Sequence, residues 1–477
     1  MSITAPRGLL VGNQWRTCTE TLPVIDPFTG NEIARAPLGD EALLEEAIGV
    51  AQAAFKKTRA IPAHARAGLL EKVAIGIEKR SAELAETIMA ESGKPIIFAE
   101  AEVGRAVMTF NTAAGEARQS QGALLPLDGL PPGAGHFGMV RRFPIGVIGA
   151  ITPFNFPLNL VAHKVAPCLA TGNTMVLKPA MKTPLTALLL AEILVEAGMP
   201  EGQINFVTCT NEVAAQLVQD ERVKKITFTG SPEVGWRLKE QCGKKRITLE
   251  LGGNAGVIVH SDAELDMAIP AIAMGGFGQA GQSCISVQRI VIHESRYEEF
   301  RERFLAHILA KIKTGDPRDR ATIVGPMINA EALERVRKQI SDAVAAGASV
   351  ALGGTITGRC LEATVLENLD PRCDLVAGEA FAPLVTLHQY REFKEALEFI
   401  NASVFGLQAG VYTRDLNLAM QAFEALDVGG VLINQVPTWR VDNMPYGGIK
   451  ESGFGREGVR YAMEEMTELK SLVMKLD

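Results

Sequence analysis

The feature that most restricts the fold is a regular alternation of strand and helix patterns between Ile145 and Leu251. The run IGVIGAI reads as a buried strand. After the turn TPFNFP a helical stretch starts near Leu158 and runs through NLVAHKVAPCLA, where Pro167 is expected to kink or end it. GNTMVLKP is the next strand, stopped by Pro179. TPLTALLLAEILVEAGMP then carries the marks of a complete helix, with Thr183 as cap, Pro184 in the first turn and Gly198 at the end. INFVT, EVAAQLVQ, KITFTG, SPEVGWRLKEQ and RITLEL continue the series. Strands separated by helices in this way form a parallel sheet with right-handed crossovers.

The 477 residues exceed what one ordinary core organises, and 46 glycines suit the many tight turns of an α/β protein. From Glu41 to Gly122 an amphipathic helical pattern predicts a layer over the sheet. After Leu251, NAGVIVH, QRIVIH and GVLIN are strands of a second α/β unit, in which SRYEEFRERFLAHILAKIKTG is an amphipathic helix. LLPLDGLPPGAGHFGMVRRFPIG fits neither pattern and reads as an extension or hairpin outside the cores. TELKSLVMKL at the C-terminus reads as an exposed strand. The expected fold is α/β: two doubly wound, Rossmann-like parallel sheets and a small β hairpin. One unit comprises 1–122 and 144–251, the second 252–460, and 123–143 with 461–477 are segments for self-association into a homodimer or homotetramer. The alternative for the last strand is that it closes its own sheet.

The charge of −7 and the lack of a long Lys/Arg run exclude a polyanion footprint, so no nucleic-acid partner is expected. The start, MSITAPRGLLVGNQW, has too short an apolar patch for a signal peptide. The uncharged run Met267–Gln288 is rich in glycine and glutamine, which suits a buried turn better than a membrane span. A cytoplasmic, membrane-free protein is expected. The seven cysteines are scattered and form neither a C-x-x-C pair nor a metal-like cluster with the histidines, so no metal site is expected.

GGFGQAGQSC, from Gly275 to Cys284, satisfies G-x-G-x-x-G and ends on a cysteine. A dinucleotide loop needs a strand before it and a helix after it; here AIPAIAMGG precedes and the strand QRIVIH follows. The glycine pattern is therefore set aside in favour of a reactive thiol. A thiol needs an activator, and none is adjacent in sequence. Glu250 ends a strand just before a glycine turn, at the sheet edge where such folds place their sites. Asn155, in AITPFNFPLN, is a neutral donor able to stabilise an oxyanion. Taken singly, each has a plain reading as a turn or strand-end residue.

In order along the chain, TPFNFP, VLKPA, FTGSPEVG, LELGGNAG, GQSCISVQR, GEAFAP and MPYGGIKESGFGREG resemble the motifs of the aldehyde dehydrogenase superfamily, from about Val11 to the C-terminus. The resemblance implies that Cys284 attacks the aldehyde carbon to form a thiohemiacetal, with its oxyanion between the Asn155 amide and the Cys284 backbone N–H. Hydride then passes to the nicotinamide, and Glu250 activates water to hydrolyse the thioester. It also implies that 1–122 with 144–251 bind the dinucleotide and that 252–460 carry the thiol. The matching cofactor residues are Thr152, Pro153, Phe154, Lys178, Gly230, Ser231, Glu379 and Phe381. Where many NAD-preferring members have a glutamate, three residues after the lysine, this chain has Met181 followed by Lys182. NADP is thereby permitted, and NAD leads weakly.

Lys164 and Glu457 match a proposed proton relay, or are plain helix-surface charges. Arg105, on a helix lining the substrate tunnel of relatives, and Arg440, on the loop at its mouth, suit an aldehyde with a carboxylate, phosphonate, phosphate or sulfonate tail. Neutral lactaldehyde stays open, and either arginine could instead bridge to a carboxylate. The rival readings are a thiol hydrolase, for which no histidine sits in a suitable motif, and a non-catalytic protein on the same fold, which the joint presence of Cys284, Asn155 and Glu250 opposes. A CoA-acylating relative would lack Glu250.

Overall fold

The computed structural model of the protein describes residues 6–119 and 122–476; residues 1–5 and 120–121, which the division above places in the first unit, and 477, which it places in the C-terminal segment, lie outside them. The alternation seen from Ile145 builds the centre of an eight-stranded sheet. Ile204–Phe206, Thr174–Lys178, Val147–Ile151, Val223–Thr229 and Arg246–Glu250 lie side by side in that order, all parallel. Leu9–Val11 adds antiparallel on one side, with Gln14–Arg16 beyond it at the edge, and Gly453–Phe454 adds antiparallel at the other edge. The expected helical layer is four helices, Glu41–Thr58, Ala63–Lys79, Ser81–Ser92 and Ile96–Arg118. Leu44, Leu70, Ile88 and Phe110 from them enter one core with Ile148, Val176 and Phe206 of the sheet. Val459, Met463 and Met466 belong to the same core, so the chain returns to its first unit after Gly453, inside the span that the sequence division gives to the second.

Two local expectations change. The helix Asn159–Thr171 runs through Pro167 and ends at the left-handed Gly172, the proline costing only the bond to the His163 carbonyl one turn back. The helix Leu185–Glu196 is not capped by Thr183, whose hydroxyl has no partner. Instead the buried carboxylate of Glu91 accepts from the N–H groups of Leu185 at 2.8 Å and Thr186 at 3.0 Å, placing negative charge at the positive helix end.

A seven-stranded sheet forms the second unit in the order Ser349–Leu352, Thr364–Glu367, Leu384–Tyr390, Val287–His293, Ala255–Val259, Gln408–Tyr412, Gly430–Ile433, parallel except at the Ser349–Leu352 edge. The Pro/Gly-rich segment is a hairpin of Gly122–Leu125 and His136–Pro144, and Thr467–Lys475 pairs along the whole of the latter. The far edge of that terminal strand pairs with nothing among the described residues, and it exposes Leu469, Leu472, Val473 and Met474. No described helix is long and apolar enough to cross a membrane.

Candidate active site

Cys284 sits between the helix Leu265–Phe277 and the strand Val287–His293. The turn that presents it is unusual: Gln279, Ala280 and Gly281 all have left-handed backbones, with φ of 55°, 56° and 63°. At Gly281 a Cβ would stand 2.0 Å from the Ala382 carbonyl oxygen, which excludes any other residue. Gly276, the first glycine of the G-x-G-x-x-G pattern, packs against Val385, where a Cβ would come within 2.7 Å. These glycines serve packing and chain reversal. The turn is pinned on both sides. Gln282 accepts from Ile328 N–H at 2.9 Å, and Gln279 donates to the Asn155 carbonyl at 2.6 Å.

Asn155 lies in the turn between the strand Val147–Ile151 and the helix Asn159–Thr171. Its side-chain amide donates to the Gln282 carbonyl at 3.0 Å. That turn is held from below by Glu102, whose carboxylate accepts from Leu158 and Asn159 N–H at 2.9 and 3.0 Å and pairs with buried Lys94. Glu250 closes its strand, and neither of its carboxylate oxygens has a hydrogen-bond partner among the described residues. Two glycines make room here. A Cβ at Gly253 would meet the Cys284 carbonyl at 2.0 Å, and one at Gly447 would meet the Glu250 carboxylate at 2.8 Å. Cys284, Asn155 and Glu250 all line one cavity of about 520 Å³, together with Phe154, Glu379, Phe381, Arg105, Arg440 and Tyr446.

Burial governs the titration of this cavity. It pushes the Cys284 thiol up to about 12, with a hydrogen bond from Tyr446 pulling the other way. It raises the Glu250 carboxyl well above the usual carboxylate range, aided by repulsion from Glu457. It raises Glu379 to about 7, while the Gly253 N–H, 2.9 Å from its carboxylate, opposes the shift.

Behind the cavity lies a buried charged cluster. Lys164 pairs with Glu457 at 2.8 Å and donates to Thr227 at 3.0 Å, and both charged side chains are almost wholly enclosed, so neither is a helix-surface charge. Burial alone would raise Glu457, but Lys164, His163 and Arg440 outweigh it and hold the carboxyl below its ordinary range. Arg440 is not at the mouth of the cavity. Its side chain is 5% exposed, and its guanidinium lies 3.7 Å from the Tyr446 ring centroid. Arg105 and Arg440 approach the same carboxylate, Asp442, at the long distances of 3.8 and 3.9 Å. Asp442 is already engaged by His163 at 3.1 Å and by Thr109.

A second groove, of about 310 Å³, is lined by Ile151, Lys178, Glu212, Phe228, Arg237 and Gln241. The Lys178 side chain is buried along this groove, and that burial lowers its pKa. Thr152 N–H donates to the Lys178 carbonyl at 3.2 Å, setting the two strand ends side by side, and Met181 lies half-buried in the turn beyond. Gly230 and Ser231 open the helix Pro232–Gln241. Gly230 N–H donates to the Glu250 carbonyl at 3.0 Å, a Cβ there would strike the Phe228 ring, and the Ser231 hydroxyl makes no capping bond. Pro153, Phe154, Gly230 and Ser231 line the thiol cavity and not this groove. Phe154 and Phe381 contact edge to face there, 6.0 Å between centroids.

The family model described as "Aldehyde dehydrogenase family" matches residues 15–472. The chain belongs to the aldehyde dehydrogenase family. This aldehyde dehydrogenase is 40% identical over 470 residues to the 3-sulfolactaldehyde dehydrogenase of Priestia aryabhattai, covering 98% of each chain. Its fold matches that of aldehyde dehydrogenase 21 from Physcomitrella patens, solved with the reaction product succinate, at a TM-score of 0.97 and 42% identity over 100% of this chain and 99% of that one. It also matches glyceraldehyde-3-phosphate dehydrogenase from Methanocaldococcus jannaschii, solved with NADP, at a TM-score of 0.92 and 38% identity over 96% and 100%. The chain is thus an enzyme that oxidises an aldehyde with NAD or NADP.

Sequence reasoning missed several residues of the aldehyde dehydrogenase cavity. His163 and Asp442 are near neighbours in sequence of the singled-out Lys164 and Arg440, but nothing in their spacing joins them. Tyr446 stood inside the MPYGG motif, where its hydroxyl drew no attention.

Proposed function

We propose that this enzyme oxidises a small aldehyde carrying an anionic tail to the carboxylate, with Cys284 as nucleophile. The observation that carries the reading is the pair Arg105 and Arg440 in the thiol cavity. Both guanidiniums approach one carboxylate, Asp442, only at long distances, and although Arg440 also meets His163 at 3.3 Å, its Nε has no hydrogen-bond partner among the described residues. Such a pair accepts a carboxylate, phosphonate, phosphate or sulfonate. The sulfolactaldehyde, succinate and glyceraldehyde phosphate of the relatives all carry anionic tails, which supports the same reading.

In this proposal the Cys284 sulfur attacks the aldehyde carbon, and the developing oxyanion meets the Asn155 amide and the Cys284 backbone N–H. Bound NAD(P) supplies the oxidant, accepting a hydride. Glu250, with both oxygens unpaired, takes the proton of the water that hydrolyses the thioester, and Glu457 with Lys164 carries it onward. The segments 1–122 with 144–251 hold the dinucleotide, and 252–460 present the thiol.

Support for the cofactor positions comes from the Lys178 side chain lining the second groove, the Ser231 hydroxyl that makes no capping bond at a helix start and the close backbone approach at Gly230. Thr152, Pro153, Phe154, Glu379 and Phe381 border the remaining length. Met181 supplies no carboxylate to the ribose, but Glu212 faces the same groove, opposed by Arg237. Both dinucleotides are accepted in this reading, NAD ahead of NADP. The exposed edge of Thr467–Lys475 supports assembly into a homodimer or homotetramer.

The test is NAD(P)H formation with neutral and anionic aldehydes of matched chain length, in wild type, Cys284→Ala and Arg105→Ala. Turnover that needs Cys284, favours anionic tails and loses that preference in Arg105→Ala is expected. Equal turnover of neutral and anionic aldehydes, unchanged by Arg105→Ala, removes the anion site.

A further inference from the structure

The Tyr446 side chain is enclosed, 4% exposed, and its ring packs with Ile285 and Leu407 beside Cys284. A phenylalanine would satisfy that packing equally, so the hydroxyl needs a partner of its own. Its one hydrogen-bond partner among the described residues is the Cys284 sulfur, at 3.3 Å. Two features fix the ring. Residues 446 and 457 exchange backbone hydrogen bonds of 3.0 and 2.7 Å, and the Arg440 guanidinium covers the ring face at 3.7 Å. A cation in that position also strengthens the phenol as a donor.

Resting on the reading of Cys284 as nucleophile, we propose that Tyr446 is a catalytic residue whose hydroxyl donates a hydrogen bond to the Cys284 sulfur whenever that sulfur carries negative charge. This happens twice in a turnover. Before attack, the hydroxyl stabilises the thiolate. In hydrolysis, as the carbon–sulfur bond breaks and its electron pair goes to sulfur, it stabilises the leaving thiolate while the water proton goes to Glu250. The phenol keeps its own proton throughout. Burial and the neighbouring thiol hold its pKa well above the ordinary tyrosine value, so it donates and does not serve as a base. The other charged groups facing the sulfur are Glu379 and Glu250, which disfavour the thiolate, and Arg440, which favours it without a hydrogen bond.

Tyr446→Phe removes one oxygen and keeps both the ring and the Arg440 stack. The readout is the rate of Cys284 alkylation by iodoacetamide between pH 6 and 9, located by mass spectrometry, with Cys284→Ala reporting the background from the other cysteines. A hydrogen bond to a charged acceptor shifts the thiol by about 1–2 pH units, and the greater nucleophilicity of the more basic thiolate returns part of that loss. The expected result is alkylation about three- to tenfold slower throughout the range, with a matching fall in the single-turnover rate of NAD(P)H formation. Alkylation of Tyr446→Phe at the wild-type rate or faster overturns the proposal. Because alkylation needs neither aldehyde nor cofactor, that failure differs from failure of the functional reading, which would leave a reactive thiol and no NAD(P)H from any aldehyde.

Discussion

Glu457→Gln tests the electrostatics of the cavity in two independent ways. The side chains of Lys164 and Glu457 are 1% and 3% exposed and 2.8 Å apart, so the lysine charge is tolerable in the interior only because of its partner. Glutamine keeps an acceptor for the ammonium and removes the charge. Breaking a buried pair costs about 3–5 kcal/mol, and the retained hydrogen bond puts this variant near the lower figure, about 3 kcal/mol. With an unfolding entropy of about 2.1 cal/mol/K per residue, or about 1 kcal/mol/K over the 477 residues, Tm falls by about 3 °C in a calorimetric scan at pH 7. The sign with pH follows from the depressed carboxyl of Glu457. Its stabilisation is present above the unfolded-state value of about 4.3 and is lost as pH falls through the folded value, so the deficit of the variant closes in acid. The second readout is Glu250. Glu457 is the charge that adds to its raised pKa, so neutralising Glu457 lowers Glu250, and the rise of thioester hydrolysis with pH moves to lower pH. The double replacement Lys164→Met with Glu457→Leu recovers most of the lost stability. A Tm within 1 °C of wild type, which an exposed pair worth about 0–1 kcal/mol would give, together with an unmoved pH limb, would refute the reasoning.

Asn155→Ala should lower kcat about 10²–10³-fold with little change in KM, the usual loss for one oxyanion donor, read from initial rates of NAD(P)H formation. Gly281→Ala combines a left-handed φ of 63° with a methyl 2.0 Å from the Ala382 carbonyl; a loss of more than about 2 kcal/mol in guanidinium unfolding, with kcat depressed because Cys284 moves, is expected. Glu379 is raised to about 7 by burial, and the ionised carboxylate accepts from ribose hydroxyls more strongly than the acid does, so KM for the dinucleotide should fall as pH rises through 7 and lose that dependence in Glu379→Gln. Lys94→Met strands the Glu102 carboxylate that holds the Leu158 and Asn159 N–H groups, and should cost about 3–5 kcal/mol with a fall in kcat through the Asn155 turn.

Much of the fold was legible because it depends on local pattern. Strand and helix alternate from Ile145 to Leu251 in the periods that each requires, and the hairpin announced itself by its prolines and glycines. What stayed hidden depends on residues distant in sequence. Glu91 caps a helix that starts 94 positions later, which no local cap rule reveals. The burial of Arg440 depends on His163, which arrives from a helix 277 positions earlier in the chain. At the site, the motifs named the residues and their order, but what makes Glu250 unusual is the absence of hydrogen-bond partners among the described residues, and what makes Lys178 unusual is its burial, neither of which a sequence records.

The short strand Gly453–Phe454 lies directly beside the strand that ends in Glu250, and Gly447 and Glu457 flank the same carboxylate. During synthesis, Asn155, Glu250 and Cys284 all leave the ribosome long before that neighbour exists. The first sheet waits with an unpaired edge until the last stretch of chain folds back, and until then neither Gly447 nor Glu457 stands beside the carboxylate. A chain cut short before residue 453 would carry Cys284 and Glu250 without the strand that pairs beside Glu250 and without the Glu457 charge that adds to its raised carboxyl. The first sheet and its core are thus completed only by the last part of the polypeptide.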